Sequence, residues 1–288
     1  MESGRGRILN IQRKPEWLRK KVNPGDQNKM RSLLGELRLN TVCQQALCPN
    51  ISECFACGQA TFLILGRNCT RMCSFCNVDK SVPLPVDSDE PARVAEAVRR
   101  LKLSHVVVTS PTRDDLPDGG ASLYAATVVA IRTSSPSTRI ELLVPDFQGD
   151  VPSLETVVTS CPNILAHNVE TVPRLYHIRN GSDYRRSLEV LRNCAGIAPA
   201  IRTKSGIMLG MGEAEDEVLQ VLRDLRGVGC AYLSIGQYLA PSRRHYPVQE
   251  YVTPAVFESL QKQALDLGFS HVESGPYVRS SYHAGQYA

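Results

Sequence analysis

The stretch TFLILGRNCTRMCSFC, residues 61–76, joins two different signals. Its first half, TFLILG (61–66), is a short apolar run of the kind that forms a strand buried on both faces. Its second half carries Cys69, Cys73 and Cys76 in a C-x3-C-x2-C spacing. A strand that runs directly into a loop of reactive side chains is the working unit of β/α folds, where active sites sit on the loops after the strands.

The same alternation continues along the chain. HVVVTS (105–110), IELLVPD (140–146), NILAHN (163–168), AIRTKSGIMLG (200–210) and AYLSIGQYL (231–239) read as five more strands. Helical segments lie between them. In DEPARVAEAVRRLK (89–102), Val94, Val98 and Leu101 share one face, Asp89 is the expected N-cap and Pro91 falls in the first turn. In EAEDEVLQVLRDLRGVG (213–229), Val218, Val221, Leu222 and Leu225 recur at helical spacing, with acids at the start and arginines and glycines at the end. GASLYAATVVAIRT (120–133), DYRRSLEVLRNC (183–194) and PAVFESLQKQALDLG (254–268) complete the set. Six strand–helix repeats imply a parallel sheet with helices outside it. Right-handed crossovers then give a barrel, and six units fall short of the eight that take about 250 residues. An open doubly wound sheet competes, and periodicity does not separate the two. The chain divides into a basic, then cysteine-rich extension (1–58), the β/α region (59–268) and a short tail (269–288).

Composition excludes several classes. With 288 residues, 42% hydrophobic and 22% charged, the chain can build a large core. No apolar run approaches the roughly 20 residues of a membrane span, and the N-terminus has no signal-peptide core. Glu2, Glu16 and Pro15 argue against a transit peptide, so a cytoplasmic location is expected. The net charge of +4 does not call for nucleic acid or a membrane surface. The positive charge is concentrated, however, in Arg5, Arg7, Arg13, Lys14, Arg19, Lys20 and Lys21. That segment is either a solvated tail or a contact surface for an acidic partner.

Seven of the ten cysteines lie between Cys43 and Cys76, which is not the scatter of a disulfide framework. A closed zinc site wants four ligands, and a [4Fe–4S] cluster normally takes four cysteines. Three leave one metal position open to a ligand or substrate. Arg67 and Arg71 flank the second group and are expected to favour its thiolates. The first group, CQQALCPNISECFAC (43–57), offers Cys43, Cys48, Cys54 and Cys57.

The Cys69–Cys73–Cys76 spacing, with Phe75 before the last cysteine, resembles the signature of radical S-adenosylmethionine (SAM) enzymes. The resemblance implies a (β/α)6 partial TIM-type barrel, a [4Fe–4S] cluster on three cysteines, and SAM on its open iron. LNTVCQQALCPNISEC (39–54), TSPTRDDLPDGGA (109–121), LAHNVETVPRLY (165–176), TKSGIMLGMGE (203–213) and GPYVRSSYHAG (275–285) are more closely similar to the lipoyl synthase family. That resemblance implies a second, auxiliary [4Fe–4S] cluster on Cys43, Cys48 and Cys54, with Ser281 of the RSSY word as fourth ligand and Ser280 as the alternative. It also implies sulfur insertion at two positions of an octanoyl-lysine, with two SAM per turnover and the auxiliary cluster as sulfur donor. The implied partners are octanoylated lipoyl-carrier domains (2-oxoacid dehydrogenase E2 or glycine cleavage H protein) and an electron donor such as ferredoxin or flavodoxin. The basic N-terminal segment would suit an acidic carrier.

Cys57 stands outside the family pattern and is not assigned as a ligand. Cys161, Cys194 and Cys230 are expected to be small buried hydrophobes. The six histidines are scattered and none is assigned to a metal. Asn168 and Glu170, with Thr109 and Ser110, are the expected polar contacts to SAM, and Arg185 and Lys204 the candidate carboxylate partners. Gly119 and Gly120 are expected to make a tight turn. The alternative enzyme reading is another radical SAM sulfur-inserting enzyme, similar to biotin synthase, and readings of another class are an Fe–S electron carrier or a zinc-binding module.

Overall fold

A computed structural model describes residues 13–19 and 28–287. The N-terminal extension forms α1 (Asn28–Glu36), β1 (Asn40–Thr41), α2 (Val42–Gln45) and α3 (Ile51–Ala56). The β/α region follows as β2 (Thr61–Leu63), α4 (Glu90–Leu101), β3 (His105–Thr109), α5 (Ala121–Ser134), β4 (Arg139–Leu143), α6 (Val151–Thr159), β5 (Ile164–Ala166), α7 (Tyr184–Ile197), β6 (Arg202–Leu209), α8 (Glu215–Gly227), β7 (Tyr232–Gln237), α9 (Pro254–Asp266) and β8 (His271–Gly275). One sheet takes the strands in sequence order, β1 to β8. β2 to β8 are parallel, and β1 is antiparallel to β2. With β1 and β8 as its two edges, the sheet is the expected part-barrel. Among the described residues, no helix is long and apolar enough to cross a membrane.

All six expected strands form, and the sheet reaches beyond residues 59–268 on both sides. β1 lies in the extension and β8 in the segment read as tail. β8 was hidden because its sequence, HVESG, places His271 and Glu273 on the barrel interior, which inverts the usual apolar pattern. α6 was also missed. Its valines and threonines are weak helix formers, and only the Asp150 cap on Ser153 N and the proline in its first turn mark it. Asp89 takes the cap position of α4, but its side chain makes no capping bond. The first strand is shorter than TFLILG because Leu65 and Gly66 turn to positive φ and steer the chain into the cysteine loop.

Apolar side chains sit between the sheet and the helices. Phe62, Ile64, Val106, Val108, Ile140 and Leu142 pack against α4 and α5 residues such as Val94, Val98, Tyr124 and Val128. Met30, Leu34, Leu39 and Phe55 of the extension join this core, so the extension is built onto the barrel. The barrel interior is polar instead. Lys204 Nζ lies 2.9 Å from Glu141 Oε1, with both side chains fully buried. It also lies 3.6 Å from the centre of the Tyr287 ring. Tyr287 packs on Tyr232 and His271, at centroid distances of 5.4 and 4.6 Å. His105, Tyr232 and His271 each begin a strand. The C-terminal segment therefore plugs the end of the barrel where the strands start and leaves the opposite end to the loops.

Candidate active site

Cys69, Cys73 and Cys76 occupy the loop after β2, all partly buried and free of disulfides. Backbone bonds hold the loop on several sides. Cys69 N donates to Asp79 O (2.7 Å), Thr70 N to Thr112 O (3.0 Å) and Ser74 N to Ile178 O (2.9 Å), while Ser74 O accepts from Tyr246 N (2.9 Å). Cys69 lies close enough to Cys73 and Cys76 to raise the pKa of both. Cys76 is pushed up to about 11, first by burial and then by Cys73 and Cys69. Cys73 is also raised by burial, against the pull of Arg179 and Lys80. Three crowded soft donors at an unpaid electrostatic cost are what an iron–sulfur cluster relieves, because the metal binds them as thiolates.

Arg71 ties this loop to its neighbours. Its Nε and Nη2 donate to Asp114 at 2.8 and 3.0 Å, and Nη2 and Nη1 to Asp146 at 2.5 and 3.0 Å. The expected electrostatic role of Arg71 is therefore corrected, since two carboxylates occupy its guanidinium. Its contribution to Cys69 is a backbone N–H, 3.4 Å from Sγ. Arg67 is exposed, and the cations that act on Cys73 are Arg179 and Lys80.

Past β5 the chain brings Asn168, Glu170 and Arg179 together. Asn168 Nδ2 donates to Glu170 Oε1 (3.0 Å) and to Ser280 Oγ (2.6 Å). Gly206 makes room for this group, because a Cβ there would stand 2.9 Å from Asn168 Oδ1 and 2.7 Å from Ser234 Oγ. Arg179 Nη1 donates to the carbonyls of Asn168 and Val169 and to Tyr176 Oη. Asn168 Oδ1 and Arg179 Nε are buried and make no hydrogen bond among the described residues. An orphaned acceptor and an orphaned cationic donor near Cys73 suit the ammonium and carboxylate of an amino-acid head group.

The other expected SAM contacts fare differently. Thr109 Oγ1 donates to Leu143 O (2.9 Å), and Ser110 Oγ accepts from Tyr124 Oη (3.0 Å). Lys204 is paired to Glu141 at the plugged end and is corrected from a ligand contact to an interior ion pair. Arg185 is exposed on α7, and Arg179, which sequence reasoning missed, is the buried cation. Gly119 and Gly120, both at positive φ, form the turn into α5 as expected.

Cys43, Cys48 and Cys54 meet in a second place. They line a cavity of about 220 Å³ together with Cys57, Thr61, His105, Arg279 and Ser281. Thr61 Oγ1 donates to Ser281 Oγ at 2.6 Å, across 220 residues of chain. Asn50 Nδ2 donates to Tyr277 O (2.7 Å) and Tyr282 Oη to Glu53 Oε1 (3.2 Å), which fastens the tail to the extension. Gly236 permits the approach, because the Val278 carbonyl occupies the space a Cβ would need. The two serines of RSSY thus part: Ser281 faces the cysteines and Ser280 faces Asn168. Cys57 is exposed at the C-cap of α3 and lines the same cavity. The volume is several times the roughly 30 Å³ share of one water, and among the described residues no three His, Cys, Asp or Glu side chains converge on a single-ion site. The cavity has room for a polynuclear group.

Cys194 and Cys230 are buried as expected, but Cys161 is exposed, on a positive-φ turn after α6. Arg13, Lys14 and Arg19 are exposed, and Arg5, Arg7, Lys20 and Lys21 lie outside the described residues.

His167 yields a pH prediction. Its Nδ1 meets Val144 O at 2.9 Å, its Nε2 has no partner, and burial, helped by Arg179, lowers its pKa to about 4. The unfolded chain binds this proton below about pH 6.5 while the folded chain refuses it, so stability falls on acidification. Between pH 7 and pH 5 this one group removes about 2 kcal/mol. Urea unfolding at both values should show that share of the loss missing from His167→Gln.

Comparison with known proteins agrees with this geometry. Residues 63–225 match the Radical SAM superfamily. A lipoyl synthase of Trichlorobacter lovleyi is 70% identical over 281 residues, covering 97% of this chain and 100% of the relative. A lipoyl synthase of Geobacter metallireducens is 66% identical, covering 97% and 99%. Methylornithine synthase, at 14% identity and a TM-score of 0.56 over 73% of this chain and 69% of its own, shares the fold. So does Streptococcus suis SuiB bound to its precursor peptide, at 10% identity and a TM-score of 0.57 over 93% and 58%. The chain belongs to the radical SAM superfamily and, within it, to the lipoyl synthase family.

Proposed function

We propose that this enzyme inserts two sulfur atoms into the octanoyl chain of an octanoyl-lysine carried on a lipoyl domain. The observation that carries this reading is the pair of separate cysteine triads, with Ser281 delivered to the first of them from the far end of the chain. Cys69, Cys73 and Cys76 would hold the cluster that family membership implies. Cys43, Cys48, Cys54 and Ser281 would hold an auxiliary one. When bound, the clusters and two SAM per turnover would pass on an electron from the external donor and provide the hydrogen-abstracting radical and the sulfur. The chain supplies position. Asn168, Glu170 and Arg179 orient the amino-acid head of SAM, with the Arg71–Asp146 tie holding the loop that faces them. Thr61 holds the Ser281 hydroxyl toward the cysteine cavity. Serine is a harder donor than thiolate for iron, which suits a cluster that has to come apart. Carrier proteins of the E2 or H-protein type, a ferredoxin or flavodoxin as electron donor, and a cytoplasmic location belong to the same reading.

The test is anaerobic. Protein reconstituted with iron and sulfide is reduced with dithionite beside SAM and an octanoyl-lysyl peptide, and the peptide is weighed. A product carrying two added sulfurs is expected. SAM cleavage with no sulfur gain would sink the proposal.

A further inference from the structure

We propose that the carrier domain docks on a basic groove and an apolar strap beside the two cysteine segments, through an acidic face next to its acyl-lysine. The inference rests on the function proposed above and names the partner surface for it. Arg31, Arg38 and Arg67 line a groove of about 460 Å³, together with Asn40, Gln44 and Gln45, and among the described residues no carboxylate lines it. Two acids border it and act on its arginines, Asp87 on Arg38 and Asp79 on Arg67, but each is also held by another partner. Asp87 is paired with Arg93 at 2.7 Å, and Asp79 accepts from Ser81 N and Oγ.

The strap is SVPLPVD (81–87). Both of its ends are fixed to the groove. Asn68, next to Arg67, donates to Ser81 Oγ at 2.6 Å. At the other end Arg93 joins Asp87 to the carbonyl of Leu37, next to Arg38, at 3.0 Å. In its middle Arg113 Nη2 donates to the Leu84 carbonyl at 3.1 Å, which fixes the backbone and leaves the side chain outside. Val82, Leu84 and Val86 are 86%, 69% and 41% exposed. Pro83 and Pro85 hold the strap extended, so little ordering entropy is lost on binding. Aliphatic side chains fixed in water along a row of arginines make a protein interface. A nucleic-acid surface would instead set aromatic rings among its cations. The location suits an acyl-lysine arm, since Asn77 of the radical SAM loop donates to Gln45 O (2.7 Å) at the groove edge, and Gln45 shares α2 with Cys43.

The test compares two substrates on the full-length reconstituted enzyme. One is an intact octanoylated carrier domain, the other a short octanoyl-lysyl peptide. Arg38→Glu and, separately, Leu84→Asp should each raise KM for the carrier by about tenfold or more, while kcat and turnover of the peptide stay at wild-type values. The wild-type KM for the carrier should rise with salt, and less steeply in Arg38→Glu. An unmoved carrier KM, or equal losses on both substrates, overturns the docking surface while the proposed function stands. Failure of the wild type to thiolate either substrate overturns the function, and the docking surface with it.

Discussion

Cys43→Ala, Cys48→Ala, Cys54→Ala and Ser281→Ala are expected to keep reductive SAM cleavage and lose sulfur insertion, whereas Cys69→Ala, Cys73→Ala and Cys76→Ala are expected to lose both. The two cysteine sets line different parts of the molecule. The first lines a cavity closed by the tail, and the second lies in the loop after β2 beside Asn168, Glu170 and Arg179. Each cysteine substitution should remove about four of about eight irons, the content of one of two four-iron clusters. SAM cleavage and iron content, measured on the same samples, separate the two families of variants. The neighbouring serines sharpen the test. Ser281 bonds Thr61 at the cavity, while Ser280 bonds Asn168. Ser280→Ala should weaken SAM binding and keep the full iron content. If Ser280→Ala loses the auxiliary iron and Ser281→Ala does not, the ligand assignment is reversed.

Arg71→Leu is expected to unfold the protein more readily by about 3 kcal/mol, because it leaves a buried carboxylate with only the longer ion pair to Arg186, at 3.5 Å. Asp146 is fully buried, and Arg71 is 6% exposed at the side chain. Burial alone would raise the Asp146 pKa, but the hydrogen bonds and charge of Arg71 outweigh it and hold the carboxyl below its usual range. The stabilisation is therefore present above the unfolded carboxylate pKa of about 3.9 and is lost as pH falls through the lower folded value. Arg71→Lys should rescue little, since one ammonium cannot meet two carboxylates in a planar fork. Urea unfolding measures the stability loss. Because Arg71 also holds the radical SAM loop against the loops after β3 and β4, iron retention at that site should fall in parallel. A variant as stable as the wild type would refute the tie.

The alternation of apolar runs made the six-repeat barrel legible, because burial on both faces writes itself as continuous Val, Ile and Leu. Local pattern concealed β8, whose inward residues serve a polar interior, and α6, whose valines and threonines carry little helical propensity. Cysteine clustering made both candidate sites legible, since side chains close in sequence stay close in space.

Cooperation between distant residues had no such signal. Arg179, and not Arg185, is the buried cation beside Cys73, because the turn after β5 folds one inward and α7 carries the other to the surface. Lys204 looked like a ligand contact until Glu141, 63 residues away, claimed it inside the barrel. By itself the sequence determined the repeat pattern and the clustering of the cysteines, both matters of local spacing, while the division into two triads and the serine pair came from resemblance to the family. Only the tertiary structure decided which serine faces which site, because that depends on a carbonyl of the tail fitting against Gly236 and on a hydroxyl of β2 meeting one residue of the tail.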